Sequence, residues 1–140
     1  MANYSTDAQM AKMDSDILQW LGDRSDYSDI RDIVTTRINS HIKKQAWWET
    51  LESLGVIAEG MVDKTKILNP GDLEDLENTW VREILYYDNL LSPDDATSQK
   101  GRDLRKERLR QLKELRIVPD KNADGVQDAD PVKITKLHRA

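Results

Sequence analysis

Aliphatic side chains recur at helical spacing through the longest stretch of the chain that lacks glycine and proline. The set is Ile30, Ile33, Val34, Ile38 and Ile42. Steps of three and four residues place such a set on one face of an α-helix. The pattern predicts a helix that begins near Ser25 or Ser28 and runs unbroken to a C-cap at Gly55. Because most of these side chains are β-branched, we expect packing rather than intrinsic propensity to hold the helix.

Further segments carry the same period, each with its own start signal. The predicted helices cover residues 7–21 after a capping box of Thr6 and Gln9, 70–91 after Asn69, and a last stretch that starts at 93 or after Gly101 and ends before Pro119. Residues 55–68 fit neither period and predict a loop with short extended pieces. The expected fold is all-α, roughly a four-helix bundle with an extended C-terminal arm. The helical domain would cover 1–118, and an acidic glycine turn with the arm would cover 119–140.

The composition argues against enzymatic chemistry. The chain has no Cys and 2 His, and it carries no nucleophile elbow, phosphate-binding glycine loop or zinc-protease motif. Carboxylate pairs such as Asp72 with Asp75 and Glu74 with Glu77 are expected to be solvated helix faces. No apolar signal region and no run of 18 apolar residues occurs. We therefore expect an intracellular, non-membrane protein that is not an enzyme.

Charge is divided unevenly along the chain. Residues 1–99 carry 9 basic and 19 acidic side chains, whereas residues 100–140 carry 12 basic and 7 acidic ones. The basic stretch 100–116 allows two interpretations: a helix that docks on an acidic protein surface, or a nucleic-acid contact. Docking is favoured because no aromatic residue is interleaved for base stacking and because four leucines predict a packing face. These leucines are Leu104, Leu109, Leu112 and Leu115, and the candidate interface cations are Arg102, Arg105 and Arg108.

A cluster of oxygen-bearing side chains follows the last predicted helix. Asp120, Asn122, Asp124 and Asp128 occupy positions 1, 3, 5 and 9 of a calcium-loop spacing, with a glycine at position 6. Position 12, where a bidentate Glu closes such a shell, is Pro131. Two interpretations stay open, a calcium site and an Asx-rich turn without a ligand. No other cofactor is expected.

Paired aromatic residues and the C-terminal arm complete the candidate interface. Trp47 and Trp48 are adjacent, as are Tyr86 and Tyr87, and neighbours on a helix point about 100° apart. One ring of each pair should therefore reach outward, where Trp and Tyr anchor protein contacts. In the arm, apolar side chains suited to strand pairing alternate with polar ones. They are Val132 and Ile134, which alternate with Lys133 and Thr135, and Leu137 is a further candidate contact of the arm.

The order of these segments is similar to a known family. Tyr4 and Thr6 precede DSDILQWL, an Asp-rich turn opens SDYSDIRDIV, and EILYYDNLL is followed by RDLRKERLRQL. In this order the chain resembles the small helical head-to-tail connector, or adaptor, proteins of tailed bacteriophages. The resemblance covers most of the chain, is one of layout, and includes no catalytic motif. The calcium-like loop and the connector GVIAEGMVDKTKIL depart from it.

The resemblance implies a structural role in the neck of a virion, after assembly in the host cytoplasm. It implies a homo-oligomeric ring of about twelve copies, seated under the portal protein and continuing the DNA channel toward a tail-completion or neck protein. DNA would only pass through the channel, and the arm would extend onto the portal or a neighbouring subunit. The main alternative is a small helical nucleic-acid-binding module, a regulator or packaging subunit, that uses residues 100–116. A calcium-triggered helical protein is a third.

Overall fold

The computed structural model describes residues 2–89 and 96–120, and within them the protein is mainly α-helical, as predicted. The elements are α1 (Asp7–Met13), a 3₁₀ helix (Ser15–Trp20), α2 (Ser28–Lys43), α3 (Trp48–Ser53), β1 (Ile57–Ala58), β2 (Met61–Val62), a short 3₁₀ turn (Lys64–Lys66), α4 (Pro70–Asp88) and α5 (Ala96–Glu114). Two compact units divide the chain. The first unit comprises Met1–Thr36 and Asp72–Leu115, and the second unit comprises Arg37–Gly71 and Arg116–Ala140.

The capping box predicted at the first helix is present, but the helix is shorter than expected. The Gln9 N–H donates to Thr6 Oγ1 at 3.2 Å, and the Thr6 N–H donates to Gln9 Oε1 at 2.9 Å. The helix ends at Met13 because Asp14 adopts an extended backbone, with φ −157° and ψ 92°. The Asp14 carboxylate accepts the N–H of Asp16 at 3.2 Å and so caps the 3₁₀ helix. The predicted single helix over 7–21 is therefore two elements.

The long helix predicted from the isoleucine stripe is also interrupted. It ends at Lys43 rather than continuing to Gly55. The N–H groups of Lys44 and Gln45 donate to carbonyls three residues back, at 3.2 and 3.0 Å, which tightens the last turn. The Gln45 side-chain amide also donates to the His41 carbonyl at 3.1 Å and takes the place of a continuing backbone bond. After α3, Gly55 has φ 76°, as its predicted role as a C-cap requires.

The first unit has an apolar core contributed by all its helices. Each large aliphatic side chain buried there contributes about 1.5–3 kcal/mol to stability. The buried residues of this unit include Tyr4, Met10, Ile17, Tyr27, Ile30, Val34, Leu73, Leu76, Val81, Leu85 and Leu104.

A charged residue lies inside this core, contrary to expectation. Glu77 was expected on a solvated helix face, but its exposed fraction is 0%. Its carboxylate accepts the Ser5 N–H at 2.9 Å, the Ser5 hydroxyl at 2.6 Å, the Tyr4 N–H at 3.2 Å and the Thr35 hydroxyl at 2.7 Å. The sequence contained a signal, because Glu77 is four residues after Leu73 and so belongs to the apolar stripe of α4.

Arg31 compensates the buried carboxylate. Its guanidinium lies 3.7 Å from Glu77 and donates to Asp7 at 2.7 Å and to Asn78 at 2.7 Å. It also donates to the Ser5 hydroxyl. A carboxylate inside a protein is tolerated only where charges and hydrogen bonds replace water. We call Ser5, Asp7, Arg31, Thr35, Glu77 and Asn78 the Glu77 network; it attaches the N-terminal segment to α2 and α4.

A second polar cluster joins the 3₁₀ helix to α4. The Tyr86 hydroxyl donates to Asp14 at 2.7 Å, and Arg82 lies 3.2 Å from the same carboxylate. The edge of the Trp20 ring meets the Tyr86 ring with centroids 4.8 Å apart. Burial, together with the hydrogen bond to Asp14, raises the pKa of the Tyr86 phenol.

The second unit contains the short extended pieces predicted for residues 55–68. They form an antiparallel hairpin in which Ile57 pairs with Val62 and Ala58 with Met61. The turn needs two residues with positive φ, and Glu59 and Gly60 have φ 54° and 80°. The segment after α5 packs in this unit, since the Leu68 N–H donates to the Val118 carbonyl and the Val118 N–H to Asn69 Oδ1, at 2.8 and 2.9 Å.

Candidate assembly surface

The inward face of α5 is set by close packing against α4. Gly101 is buried, and a Cβ atom there would lie 3.4 Å from the ring of Tyr87, which is ordinary van der Waals contact. Leu104 and Leu115 are 5% and 9% exposed. The helix ends at Glu114, before Pro119 as predicted, whereas a start at Pro93 lies outside the described residues.

Arg108, one of the candidate interface cations, turns toward the protein instead of the solvent. Its guanidinium forms two hydrogen bonds with the Glu83 carboxylate, at 2.6 and 3.1 Å. The same group lies 4.7 Å from the centre of the Trp80 ring. A bidentate ion pair with a cation–π contact fixes the guanidinium in place. Arg108 therefore stabilises the α4–α5 pair within one chain.

The opposite side of α5 presents a basic, partly apolar face. Arg105, Lys106 and Lys113 are exposed, and Leu109 is 50% exposed in the middle of them. At about 100° per residue, these positions and Arg102 lie within roughly 100° of arc around the helix. We call Arg102, Arg105, Lys106, Leu109 and Lys113 the Leu109 face. The prediction that Leu109 packs with the other leucines is wrong, because its direction is away from α4.

Arg102 and Arg110 make local contacts on the surface of α5. Arg102 donates to the Ser98 hydroxyl at 2.7 Å and to Gln99 at 2.9 Å. Arg110 pairs with Glu107 and, at 2.7 Å, with Glu114, as the spacing of these residues predicted. The hydrogen bond from Arg110 lowers the pKa of Glu107. Such exposed pairs contribute little to stability.

A shallow acidic cleft lies beside the Arg110 ion pairs, between α4 and the end of α5. Asp72, Asp75, Gln111 and Glu114 are among the residues that line a space of about 200 Å³. Burial and the nearby Asp72 and Glu74 charges raise the pKa of Asp75. Within residues 2–89 and 96–120, no group of three or more acidic, His or Cys side chains is arranged to hold a metal ion.

The paired aromatic residues lie mostly inside the protein. Trp47 is 8% exposed and Tyr86 is 6% exposed. Trp48 and Tyr87 are half-buried, and Tyr87 packs over Gly101. The structure thus brings one ring of each pair into a core and leaves its neighbour half covered, so exposed apolar surface comes from other residues.

An apolar groove between α1 and the 3₁₀ helix is the second surface feature of the first unit. Its volume is about 160 Å³, and Ala8, Ala11, Leu18 and Leu21 are among the side chains that line it. Leu18 is 49% exposed. We call it the α1 groove. Sequence reasoning missed it because Leu18 was expected on the buried stripe of one continuous helix.

Carboxylates surround the α1 groove. Asp7 and Asp26 line it directly, and the segments that form it also carry the exposed residues Asp16 and Asp23. Asp29, at the start of α2, pairs with Arg24 at 3.6 Å. The charge of Asp7 is compensated by Arg31. Asp26 accepts the Ser28 N–H at 3.0 Å, and this bond lowers the pKa of its carboxyl group. Its negative charge is therefore present at neutral pH.

Most of the calcium-like loop and the whole arm fall outside the described residues. Asp120 is 4% exposed, and its N–H donates to the Lys66 carbonyl at 2.8 Å. The remaining predicted ligands and the arm residues lie outside the described range; they are Asn122, Asp124, Asp128, Val132, Ile134 and Leu137. The calcium interpretation and the arm both stay predictions.

Comparison with known proteins returned no relative: no family model, curated protein or solved structure matches the chain. Among the described residues, no helix is long and apolar enough to cross a membrane.

Proposed function

We propose that the chain is a structural subunit of a bacteriophage head-to-tail connector, which forms a ring between portal and tail and continues the DNA channel. The helices would form a bundle in the wall of this ring. The arm over 119–140 would extend onto the portal protein or a neighbouring copy. The basis is the resemblance in layout, together with one structural observation that favours assembly.

That observation is the composition of the Leu109 face. An aliphatic side chain that is 50% exposed lies among cations on a helix whose opposite side buries Gly101 and Leu104. Burying Leu109 would be favourable on contact with a protein, whereas a phosphate backbone offers it no apolar partner. Trp80 and Tyr87, which contact Arg108 and Gly101 of α5, are half-buried. The face therefore fits a protein partner better than a nucleic acid.

The charge of the whole chain supports the same role. The formal net charge is −5, so a ring of such subunits would not hold passing DNA by counter-ion release.

The test is affinity purification of the tagged chain from its native source, after nuclease treatment and at about 0.3 M salt, where weak long-range attraction is screened. Mass spectrometry then identifies the bound proteins. We expect a portal or tail-completion protein. A chain that recovers no such protein and retains duplex DNA only at low salt would instead be the nucleic-acid-binding module. A tagged variant with Arg105→Glu and Lys106→Glu serves as the control for charge-dependent capture.

A further inference from the structure

We infer that the α1 groove receives Leu109 from a second copy of this chain, so that copies join through two different surfaces of the first unit. The inference deepens the proposed function, since it rests on the same oligomeric assembly and names the contact that would build it. Both surfaces belong to the described residues.

The two surfaces match in size. A cavity of about 150 Å³ lined by aliphatic and aromatic side chains accommodates a ligand as large as benzene, which is bulkier than a leucine side chain. The α1 groove has a volume of about 160 Å³ and is lined by Ile17, Leu18 and Leu21 among others. Leu109 is the most exposed aliphatic side chain on α5. Docking would remove both Leu109 and Leu18 from water.

The two surfaces also match in charge. Arg105, Lys106 and Lys113 surround Leu109, one turn away on either side. The segments that form the α1 groove, residues 7–27, carry five acidic and two basic side chains, and the exposed Asp26 lines the groove itself. The Leu109 face would therefore bring cations to a rim of opposite sign, which orients the two copies and excludes a like-charged approach.

Such a contact is heterologous, because the surface used on one copy differs from the surface used on the next. Each copy therefore keeps one free Leu109 face and one free α1 groove after the first contact, and the contact repeats. A symmetric dimer would consume both surfaces at once. Because one copy contributes Leu109 and the other contributes the groove, the inference can be tested by mixing two variants with defects on different surfaces.

The first experiment measures self-association by analytical ultracentrifugation across protein concentration. Leu109→Glu is expected to weaken the association constant at least about tenfold, because an apolar side chain is lost and a carboxylate faces an acidic rim. The new carboxylate lies four residues from Arg105 and Lys113, so the helix itself is retained. The matched control is Leu68→Glu, which changes another leucine that is 39% exposed and lies in the second unit. The control is expected to associate like the wild type.

The second experiment is complementation. Ala8→Trp fills the α1 groove from an exposed helix position and leaves the Leu109 face intact. Asp26→Asn is a milder change of the same surface. Its amide oxygen can still accept the Ser28 N–H, but the negative charge beside the groove is removed. Alone, Ala8→Trp and Leu109→Glu should each be monomeric. Mixed, they should form a dimer with one copy of each, because only one intact pair of surfaces remains.

Three outcomes would overturn the inference. The wild type could stay monomeric at about 1 mM, which would mean a dissociation constant too weak for assembly. The Leu109→Glu and Leu68→Glu variants could associate equally. The Leu109 face could bind duplex DNA at about 0.15 M salt while the chain shows no self-association.

Failure of the proposed function would look different. If purification recovers no portal or tail protein while association still depends on Leu109, the connector role fails and the contact stands. If the wild type and Leu109→Glu recover a portal protein equally, and both self-associate equally, the contact fails and the connector role stands.

Discussion

Two sets of ion pairs in the first unit use the same residue types in opposite surroundings. In the Glu77 network, Arg31 and Glu77 have side chains that are 4% and 0% exposed, and several further donors surround the carboxylate. On α5, Arg110 and Glu114 are 53% and 60% exposed and contact each other within one helix. The first set connects segments far apart in the chain, whereas the second connects neighbours one turn apart.

The difference shows where charge determines this fold. A buried carboxylate leaves donors unpaired if it is removed, so the Glu77 network favours the arrangement in which the N-terminal segment, α2 and α4 meet. The exposed pairs are already solvated and lose little when broken. On the Leu109 face, Arg105, Lys106 and Lys113 are likewise exposed to solvent.

The largest effect is expected at Glu77. Glu77→Ala should lower the free energy of unfolding by about 3–5 kcal/mol, because Arg31 and the N–H groups of Tyr4 and Ser5 lose their acceptor inside the core. Denaturant unfolding followed by circular dichroism measures it. The matched control is Asp75→Ala, two residues earlier on the exposed side of α4, which should change stability little. Equal losses in the two variants would show that the network carries no special weight.

A smaller effect is expected at Tyr86, which donates one hydrogen bond to Asp14 and so has fewer contacts than Glu77, but which is more buried than the Arg110 pairs on α5. Tyr86→Phe should cost about 1–2 kcal/mol, because Asp14 loses a donor that is 2.7 Å away. Since the fold raises the pKa of this phenol above 10.0, its contribution is fully present below pH 10.0 and is lost as pH rises through the raised value. The free energy of unfolding, measured between neutral and alkaline pH, should therefore fall less steeply in Tyr86→Phe than in the wild type. Parallel curves would contradict this.

The capping box should show a local effect at the surface. Thr6→Ala is expected to cost about 1 kcal/mol, since the Gln9 N–H loses its side-chain acceptor. Thr6→Ser keeps the hydroxyl and should behave like the wild type. Both are measured by thermal unfolding, and a Thr6→Ser loss as large as that of Thr6→Ala would point to the methyl group rather than the cap.

The smallest effect is expected for the exposed ion pairs of Arg110 on α5. Arg110→Ala should leave the unfolding midpoint unchanged within error, because its partners Glu107 and Glu114 stay solvated. Arg108→Ala is the matched comparison on the same helix, and it should destabilise the protein through loss of the Glu83 pair and the Trp80 contact. A midpoint for Arg110→Ala as low as that for Arg108→Ala would remove the distinction between buried and exposed pairs.

Local signals in the sequence predicted several elements well. Thr6 with Gln9 marked the start of α1, Pro70 marked the start of α4, and Gly55 marked the end of α3. These signals act within one turn of backbone, through caps and φ preferences that need no tertiary partner. The predicted lengths of the first two helices were wrong, because the Asp14 and Gln45 side chains bond to nearby backbone and end the helices early.

The sequence by itself determined the helical class of this protein and the residue types on its basic last helix, because spacing and charge are properties of one segment. Only the tertiary structure decided that Glu77 is buried and Leu109 exposed. Both lie on apolar stripes. A stripe indicates which side of a helix can be buried, but it does not indicate which segment covers that side. Coverage depends on where the other segments of the first unit lie, and that is settled by packing and by the buried network that joins them.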